Sequence, residues 1–358
     1  MRPLNIALIG PGKVAHLHAK AVLQVPNARL AAVYGRHPER TDAFARTYGI
    51  RAYSDVYDMV DRENIDLSIV CTPHPAHRNP AVAALEAGSH VLVEKPLAAT
   101  LDDCDAMMAA ARRAGRFLGT VSQRRFYAPS LRMRAAIDAG KIGAPALGIV
   151  QMLGWRSQEY YQSDPWRGSW AGEGGGVLVN QAPHQLDLLL WYMGEPVELY
   201  GIWNNVNHPF IEVDDTAVAL VKFRNGGIGN ISVSNSQKPG LFGKVHIHGQ
   251  NGASLGVQTD GGSMFIAGMT AILDAPYNDI WTVEGEAEML PGWKAEDEAA
   301  FAAVDAMTYY FAKQIEDFCA AIRENRLPLV TGEDGRRVVA LFQAIYESTR
   351  TGGVVKLG

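Results

Sequence analysis

The chain has few cysteines, no excess of positive charge and no long apolar run. Its three cysteines are widely spaced in no metal-ligand pattern, and fit buried thiols in a reducing cytoplasm better than a disulfide framework. A net charge of −5 gives no bulk attraction to nucleic acid. No segment approaches the roughly 20 apolar residues of a membrane span, and the predicted first strand leaves no room for a signal peptide. We therefore expect a cytoplasmic protein without nucleic-acid or membrane partners.

The composition is that of an ordinary globular protein. Hydrophobic residues make up 47% of the chain and charged residues 20%. The 358 residues are enough for two domains, because a domain usually takes about 100–200 residues.

The most informative segment is an apolar run, His90 to Val93, that ends in Glu94-Lys95-Pro96. The run predicts a buried strand, and ligands bind at the carboxyl ends of strands in open parallel sheets. A surface turn stopped by proline is the alternative. A glycine-rich turn upstream and a histidine-bearing helix downstream favour a functional site.

The glycine-rich turn lies directly after a short predicted strand, Asn5 to Ile9. Gly10, Gly12 and Ala15 occupy the small positions of the pattern G-x-G-x-x-G/A. Glycine permits the tight turn, and the backbone N–H groups at the following helix N-terminus can bind a pyrophosphate. The strand before and the helix after the turn are the context that this dinucleotide-binding pattern requires.

The end of the next predicted strand, Leu30 to Tyr34, bears on the choice of cofactor. An NAD site usually has an acid there that accepts from the ribose 2′-hydroxyl. This chain has Gly35 followed by Arg36, with Arg40 nearby, which favours NADP slightly over NAD. The alternative is that both arginines are solvated residues at the start of a helix.

Strands and helices alternate through the first third of the chain and then stop alternating. The alternation predicts a doubly wound parallel sheet, an α/β Rossmann domain over residues 1–123. After Phe126 we predict a helix, a strand, an aromatic loop and a helix at about Gln181 to Met193. Short alternating strands follow from Glu198 to Val283. Residues 124–358 are therefore predicted to be an α+β domain with a large, mainly antiparallel open sheet.

These motifs together resemble the glucose-fructose oxidoreductase / inositol dehydrogenase / MocA (Gfo/Idh/MocA) family. The likeness rests on the glycine turn, Thr72-Pro73, Glu94-Lys95-Pro96, the segment Gly174 to Trp191 and the closing helix Gly332 to Gly353. It implies hydride transfer between NAD or NADP and a hydroxyl-bearing carbon of a sugar, glycoside or cyclitol. It also implies a cis Lys95–Pro96 bond. A sheet with one uncovered face often becomes an oligomer interface, so we expect a homodimer or homotetramer formed through the second-domain sheet.

The resemblance and the motifs give a set of candidate site residues, with no metal ligand among them. Lys95, His184 and Asn180 are the catalytic candidates. The cofactor candidates are Gly10, Gly12, Lys13, Val14, Gly35, Arg36, Arg40, Thr72, Pro73, His77, Glu94, Lys95, Gln123, Trp166 and Arg167. The substrate candidates are Lys95, Arg124, Arg125, Trp155, Tyr161, Asn180 and His184.

His184 is the candidate proton acceptor because an imidazole changes charge near neutral pH. A core histidine with one hydrogen bond is the alternative. Asn180 stands where many family members have Asp; an amide can orient a substrate but cannot act as a base. Asn180 could also be a helix N-cap, with Pro183 in the first turn. Asp187 could hold the imidazole in one tautomer.

Several further interpretations stay open. The aromatic residues from Trp155 to Trp170 suit a sugar ring, or they pin a long loop to its domain. Of Arg124 and Arg125, one could bind substrate and the other form an ion pair. His246 and His248 are interpreted as structural. Two other functions are possible: redox-neutral glycoside cleavage with tightly bound NAD, and regulation by a cofactor-binding protein without catalysis.

Overall fold

The computed structural model describes residues 2–260, 270–272 and 274–357. The chain forms two compact units, Met1–Gln123 with Met307–Val339, and Arg124–Ala306 with Ala340–Gly358. Within the described ranges, no helix has both the length and the apolar character of a membrane span.

The first unit contains a six-stranded sheet in the order β3-β2-β1-β4-β5-β6, with every neighbouring pair parallel. The strands are β1 (Leu4–Ile9), β2 (Ala28–Tyr34), β3 (Arg51–Tyr53), β4 (Leu67–Val70), β5 (His90–Val93) and β6 (Leu118–Thr120). The central strands are apolar on both faces: Leu8 and Ile9 of β1 point to opposite faces of the sheet, and both are fully buried. This confirms the predicted doubly wound α/β architecture.

Helices with local start and stop signals connect these strands. They are α1 (Lys13–Val22), α2 (Pro38–Tyr48), α3 (Val56–Glu63), α4 (Arg78–Glu86) and α5 (Leu101–Ala114). Thr100 caps α5 by accepting from the Asp103 backbone N–H, and Gly115 ends it in the left-handed conformation. Short 3₁₀ turns cover His74–Ala76 and Gln123–Phe126.

A late segment packs into the first unit, although the predicted range 124–358 placed it with the second domain. Helix α12 (Tyr309–Glu324) places Ile315, Phe318 and Cys319 in the same apolar core as residues of β1 and α1. The boundary therefore differs from the prediction, because the apolar face of α12 is buried against elements about 300 residues earlier. Helix α13 (Gly332–Thr351) begins in the first unit and ends in the second.

The second unit is built on an eight-stranded sheet in the order β13-β12-β11-β7-β10-β9-β8-β14. Among the described strands of this sheet, only the β10–β7 pair is parallel. This confirms the predicted large, mainly antiparallel sheet. The strands are β7 (Pro145–Leu153), β8 (Pro196–Asn204), β9 (Thr216–Phe223), β10 (Ile228–Ser234), β11 (Phe242–Gly249), β12 (Ser254–Asp260), β13 (Tyr277–Trp281) and β14 (Val355–Lys356).

The helices of the second unit include the segment that carries the predicted catalytic residues. They are α6 (Ala128–Asp138), α7 (Gln158–Gln162), α8 (Trp170–Glu173), α9 (Val177–Asn180), α10 (Pro183–Met193) and α11 (Leu290–Ala302). Helix α10 packs against β7 and β11 and is buried almost all round. Its first residue is Pro183, whose missing N–H costs nothing at that position.

Candidate active site

The turn between β1 and α1 has the geometry of a dinucleotide site. Gly10 has a φ of +97°, and a Cβ there would lie 3.1 Å from the Thr72 side chain and 3.2 Å from the Cys71 backbone. Gly12 is the N-cap of α1, which has no side-chain cap. No side chain caps this ten-residue helix, so a ligand can approach the backbone N–H groups of its first turn. These residues fit a pyrophosphate, with Lys13 and Val14 as the first helical residues.

The end of β2 is closed to a larger side chain. A Cβ on the buried Gly35 would lie 2.3 Å from Thr41 Oγ1 and 2.8 Å from Pro11 Cδ. The Thr41 hydroxyl donates to the His37 carbonyl at 2.8 Å, so it is held in that place. An acid at position 35 is therefore excluded by packing, while Arg36 and Arg40 are exposed.

The chain after β4 is held by a buried histidine. His77 Nε2 lies 2.8 Å from the Thr72 carbonyl oxygen, and Nδ1 lies 3.2 Å from the Leu97 carbonyl oxygen. Burial lowers the pKa of His77, so the neutral ring donates from one nitrogen. His77 thus connects the turn that contains Thr72 and Pro73 to the segment that follows Pro96.

Glu94 and Lys95 lie where β5 ends, and the Lys95–Pro96 bond is cis, as the resemblance implied. Glu94 Oε1 lies 2.7 Å from His18 Nε2, and Glu94 Oε2 accepts from the Lys95 backbone N–H at 3.0 Å. Burial opposes ionisation of Glu94, but the hydrogen bond from His18 and the charge of Lys95 outweigh it and lower its pKa. The Lys95 side chain is half-buried beside this pair.

His18 is a site residue that the sequence analysis missed. It is fully buried on α1, 76 residues before Glu94 in the sequence, and its ring meets Phe311 edge-on at 4.8 Å. The one signal in the sequence was its position: it follows Ala15 by three residues, on the buried side of the same helix.

In the second unit, Asp214 fixes the chain that leads to Asn180 and His184. Its carboxylate accepts from the Gly176 N–H at 2.7 Å and the Leu178 N–H at 2.9 Å. The Tyr346 hydroxyl donates to the same carboxylate at 2.7 Å. Asp214 therefore satisfies the first N–H groups of α9, a helix with no side-chain cap of its own at Gly176.

Asn180 is not the N-cap of the following helix, because Ala182 occupies that position. It ends α9, and its buried amide donates to Glu173 Oε1 and, at 3.1 Å, to the Tyr160 hydroxyl. Glu173 also accepts from the Gly168 N–H at 2.6 Å. The sequence analysis did not single out Glu173, because nothing local distinguishes it from a surface carboxylate.

His184 lies in the first turn of α10 and is 8% exposed. Three residues on, Asp187 is held by Arg125, whose Nε and Nη2 donate to its two oxygens at 2.8 and 2.6 Å. The Arg125 guanidinium also lies 5.0 Å from the Trp191 ring. Arg125 is thus the ion-pairing member of the two arginines, while Arg124 Nη1 lies 3.4 Å from Thr259 Oγ1.

The aromatic loop is largely pinned to its own unit. Tyr161 is buried with its ring 5.5 Å from His208 and 5.9 Å from Phe210. Arg167 lies over the rings of Tyr160 and Trp166, at 4.2 and 4.4 Å. Trp155 is half-buried, so it keeps surface that can contact a ligand.

His246 and His248 have partners on the sheet of the second unit. His246 Nε2 lies 3.0 Å from Asp279 Oδ2, and His248 Nδ1 lies 2.8 Å from Ser254 Oγ. Among the residues that the structure describes, no three His, Cys, Asp or Glu side chains form a group that could hold a metal ion. Gln123, the remaining cofactor candidate, is buried at the end of the first unit's longer segment.

Comparisons with known proteins agree with the fold of both units. Residues 4–121 match the oxidoreductase family with an NAD-binding Rossmann fold, and residues 130–254 match the GFO/IDH/MocA C-terminal domain. The chain is 27% identical to a 1,5-anhydro-D-fructose reductase of Ensifer adhaerens, over 98% of this chain and 97% of that one. It is 25% identical to a scyllo-inositol 2-dehydrogenase (NAD(+)) of Bacillus subtilis, over 99% and 96%.

A solved structure shows the same likeness in three dimensions. The WlbA dehydrogenase of Bordetella pertussis, in complex with NADH and UDP-GlcNAcA, matches 100% of this chain and 98% of its own. The TM-score is 0.85 and the sequence identity 28%. The chain therefore belongs to the Gfo/Idh/MocA family of oxidoreductases, with an NAD-binding Rossmann unit and the family's C-terminal domain.

Proposed function

We propose that this oxidoreductase transfers a hydride between a nicotinamide cofactor and a hydroxyl-bearing carbon of a sugar, glycoside or cyclitol. The observation that carries the proposal is the joint presence of two site elements. One is the uncapped glycine turn with the buried Glu94–His18 pair beside Lys95, and the other is the fixed Asn180–His184 segment. Relatives named for anhydrofructose and inositol support the substrate class.

In this proposal Lys95 and His184 are the two catalytic residues. The bound cofactor supplies the redox chemistry by accepting or donating the hydride. His184 accepts the hydroxyl proton, because a neutral imidazole is a suitable base near pH 7. The Lys95 ammonium polarises a substrate oxygen, and Glu94 accepts a hydrogen bond from the Lys95 backbone N–H. Arg124, Trp155 and Asn180 are proposed as further substrate contacts.

We propose that the enzyme uses NADP or both cofactors. The exposed Arg36 can pair with a 2′-phosphate, and Arg40 lies one turn further along. Packing at Gly35 keeps out the acid that would repel that phosphate. The three cysteines are unpaired and buried, which supports a reducing compartment such as the cytoplasm.

We propose further that the protein is a homo-oligomer formed through the outer face of the second-unit sheet. Neighbouring strands expose an apolar cluster on that face: Tyr200, Ile202, Val218, Leu220 and Ile228. Exposed apolar patches of this kind usually mark a protein contact. A second copy of the chain is the proposed partner, because the uncovered face of such a sheet often becomes an oligomer interface.

A substrate screen tests the proposed activity. Purified protein is mixed with NAD or NADP and a panel of sugars, glycosides and cyclitols, and the absorbance of the reduced nicotinamide is followed. We expect at least one polyol to reduce the nicotinamide cofactor, with one cofactor reduced for each polyol oxidised. Glycoside cleavage that proceeds without added cofactor and without net reduction would contradict the proposal and support the redox-neutral alternative.

A further inference from the structure

Glu173 is a buried carboxylate for which the proposed mechanism has no role. It ends α8, is 1% exposed, and both of its oxygens receive hydrogen bonds. Oε2 accepts from the Gly168 N–H at 2.6 Å, and Oε1 accepts from the Asn180 side chain. Burial raises the pKa of Glu173 to about 7, although the hydrogen bonds from Gly168 and Asn180 oppose the shift.

The contacts of Glu173 determine which way the Asn180 amide faces. Asn180 Nδ2 is within hydrogen-bond distance of both Glu173 Oε1 and, at 3.1 Å, the Tyr160 hydroxyl. An amide has two N–H groups and one carbonyl oxygen. The reversed orientation would place Oδ1 against an ionised carboxylate oxygen, with no proton between two acceptors. An ionised Glu173 therefore keeps the NH₂ group of Asn180 directed toward itself, and Oδ1 points away from the carboxylate.

We propose that Glu173 is a positioning residue: in its ionised form it holds Asn180 so that Oδ1 accepts a hydrogen bond from a substrate hydroxyl. When Glu173 is protonated, its O–H can donate to Oδ1, the amide turns round and the acceptor is lost. The inference rests on the proposed function, in which Asn180 contacts substrate. It gives Asn180 an accepting oxygen at a fixed position, as a carboxylate would.

The other ionisable groups around Glu173 set the pH range of the test. Arg167 favours its charged form and Asp214 opposes it. Tyr160 and Tyr161 from α7, and Tyr346 from α13, have pKa values raised by burial, so they stay neutral between pH 5 and pH 9. Burial also raises the pKa of Asp214, whose carboxylate is held by three donors. A variant at position 173 is therefore needed to assign any transition.

Glu173→Gln is the first test, because it keeps the volume and removes the charge. The new amide must direct its oxygen to the Gly168 N–H and its NH₂ group to Asn180. The Asn180 amide then turns its Oδ1 toward that NH₂ group. We expect kcat/KM on the substrate found by the screen to fall about 10- to 100-fold, the usual effect of losing a buried hydrogen bond. In the wild type, protonation of Glu173 is expected to add a loss of activity below about pH 7 to the loss that protonation of His184 causes. In Glu173→Gln only the loss due to His184 should remain. Glu212→Gln is the matched control, since this exposed carboxylate accepts from the Trp170 N–H in the same loop.

Combining Glu173→Gln with Asn180→Asp distinguishes a positioning role of Glu173 from an effect on folding. Asn180→Asp alone places two carboxylates side by side, which raises one of their pKa values, so that the pair holds one proton between them at neutral pH. In the double variant Glu173→Gln/Asn180→Asp, the new amide donates to the new carboxylate and an accepting oxygen returns at position 180. We expect kcat/KM above that of Glu173→Gln. An unchanged pH profile in Glu173→Gln, or no recovery in the double variant, overturns the proposal.

A spectroscopic measurement does not depend on the substrate. The side-chain amide ¹H–¹⁵N signal that is missing in Asn180→Asp belongs to Asn180. It should shift with a midpoint near pH 7 in the wild type and stay constant in Glu173→Gln. If the wild type reduces neither cofactor with any substrate, the proposed function fails while this titration still decides the Glu173–Asn180 coupling. A signal that does not move between pH 5 and pH 9 refutes the coupling directly.

Discussion

The ionisation of Glu94 depends on His18, because burial alone would favour the protonated carboxyl. In His18→Phe the ring shape remains but the donor is lost. We expect the pKa of Glu94 to rise, kcat to fall and the free energy of unfolding at pH 7 to drop by about 1–3 kcal/mol, as for a buried acceptor left without its donor. His18→Gln, which keeps a donor, should recover part of both losses.

The pH dependence of this effect has a definite sign. In the wild type the folded pKa of Glu94 is lowered, so its stabilising contribution is present above the unfolded pKa and is lost as pH falls through the folded pKa. Denaturant unfolding from pH 4 to pH 8 should therefore show the wild type and His18→Phe converging as pH falls. His16→Phe, on the exposed side of α1, is the control. A stability difference that is constant with pH would contradict this account.

Cofactor choice is predicted to depend on Arg36 rather than on position 35. Arg36→Ala should lower kcat/KM with NADP about 10- to 100-fold, the loss of one charge-assisted hydrogen bond, and leave the value with NAD nearly unchanged. Gly35→Asp should destabilise the protein instead of creating NAD preference, because the new Cβ meets Thr41 Oγ1 at 2.3 Å. Steady-state kinetics with both cofactors decide the matter, with Arg46→Ala as the control. An NAD preference unchanged in Arg36→Ala would show that Arg36 does not contact the cofactor.

Helix α12 is predicted to be an integral part of the first unit. Phe318 is 1% exposed, and Gly119 leaves room for its ring. Phe318→Ala should lower the free energy of unfolding by about 3–5 kcal/mol, the usual result of truncating a buried aromatic residue. Leu327→Ala, at a residue that is 68% exposed, should have little effect. Equal effects of the two changes would mean that α12 packs loosely.

The elements that follow local rules could be predicted from the sequence. The first strand was predicted to within one residue, as Asn5 to Ile9 against the observed Leu4–Ile9, and the glycine turn was found because strand, turn and helix are adjacent in the chain. The elements against which α12 packs could not be predicted, because an apolar helix face indicates that the face is buried but not which elements cover it. The pairs His18–Glu94 and Glu173–Asn180 were missed for a related reason: tertiary packing, not spacing in the sequence, brings them together.

The assembly of the whole protein is predicted to depend on the exposed face of β8 and β9. Leu220 is 60% exposed at the centre of that apolar cluster. Leu220→Glu would place a charge in the proposed interface, so light scattering should show a shift from oligomer to monomer. Leu23→Glu, at a residue in the first unit that is 67% exposed, should leave the oligomer intact. A wild-type protein that is monomeric at micromolar concentration would contradict the proposed assembly.

The central claim is hydride transfer at a carbon that bears a hydroxyl group. The most direct measurement uses a substrate from the screen that is deuterated at its carbon-bound positions, followed by mass spectrometry of the nicotinamide cofactor. The account predicts one deuterium in the reduced cofactor per turnover. It also predicts that His184→Ala and Lys95→Ala each slow the transfer about 10²- to 10⁴-fold without loss of cofactor binding. Deuterium released to water, or retained in the product with no reduced cofactor formed, would contradict the account.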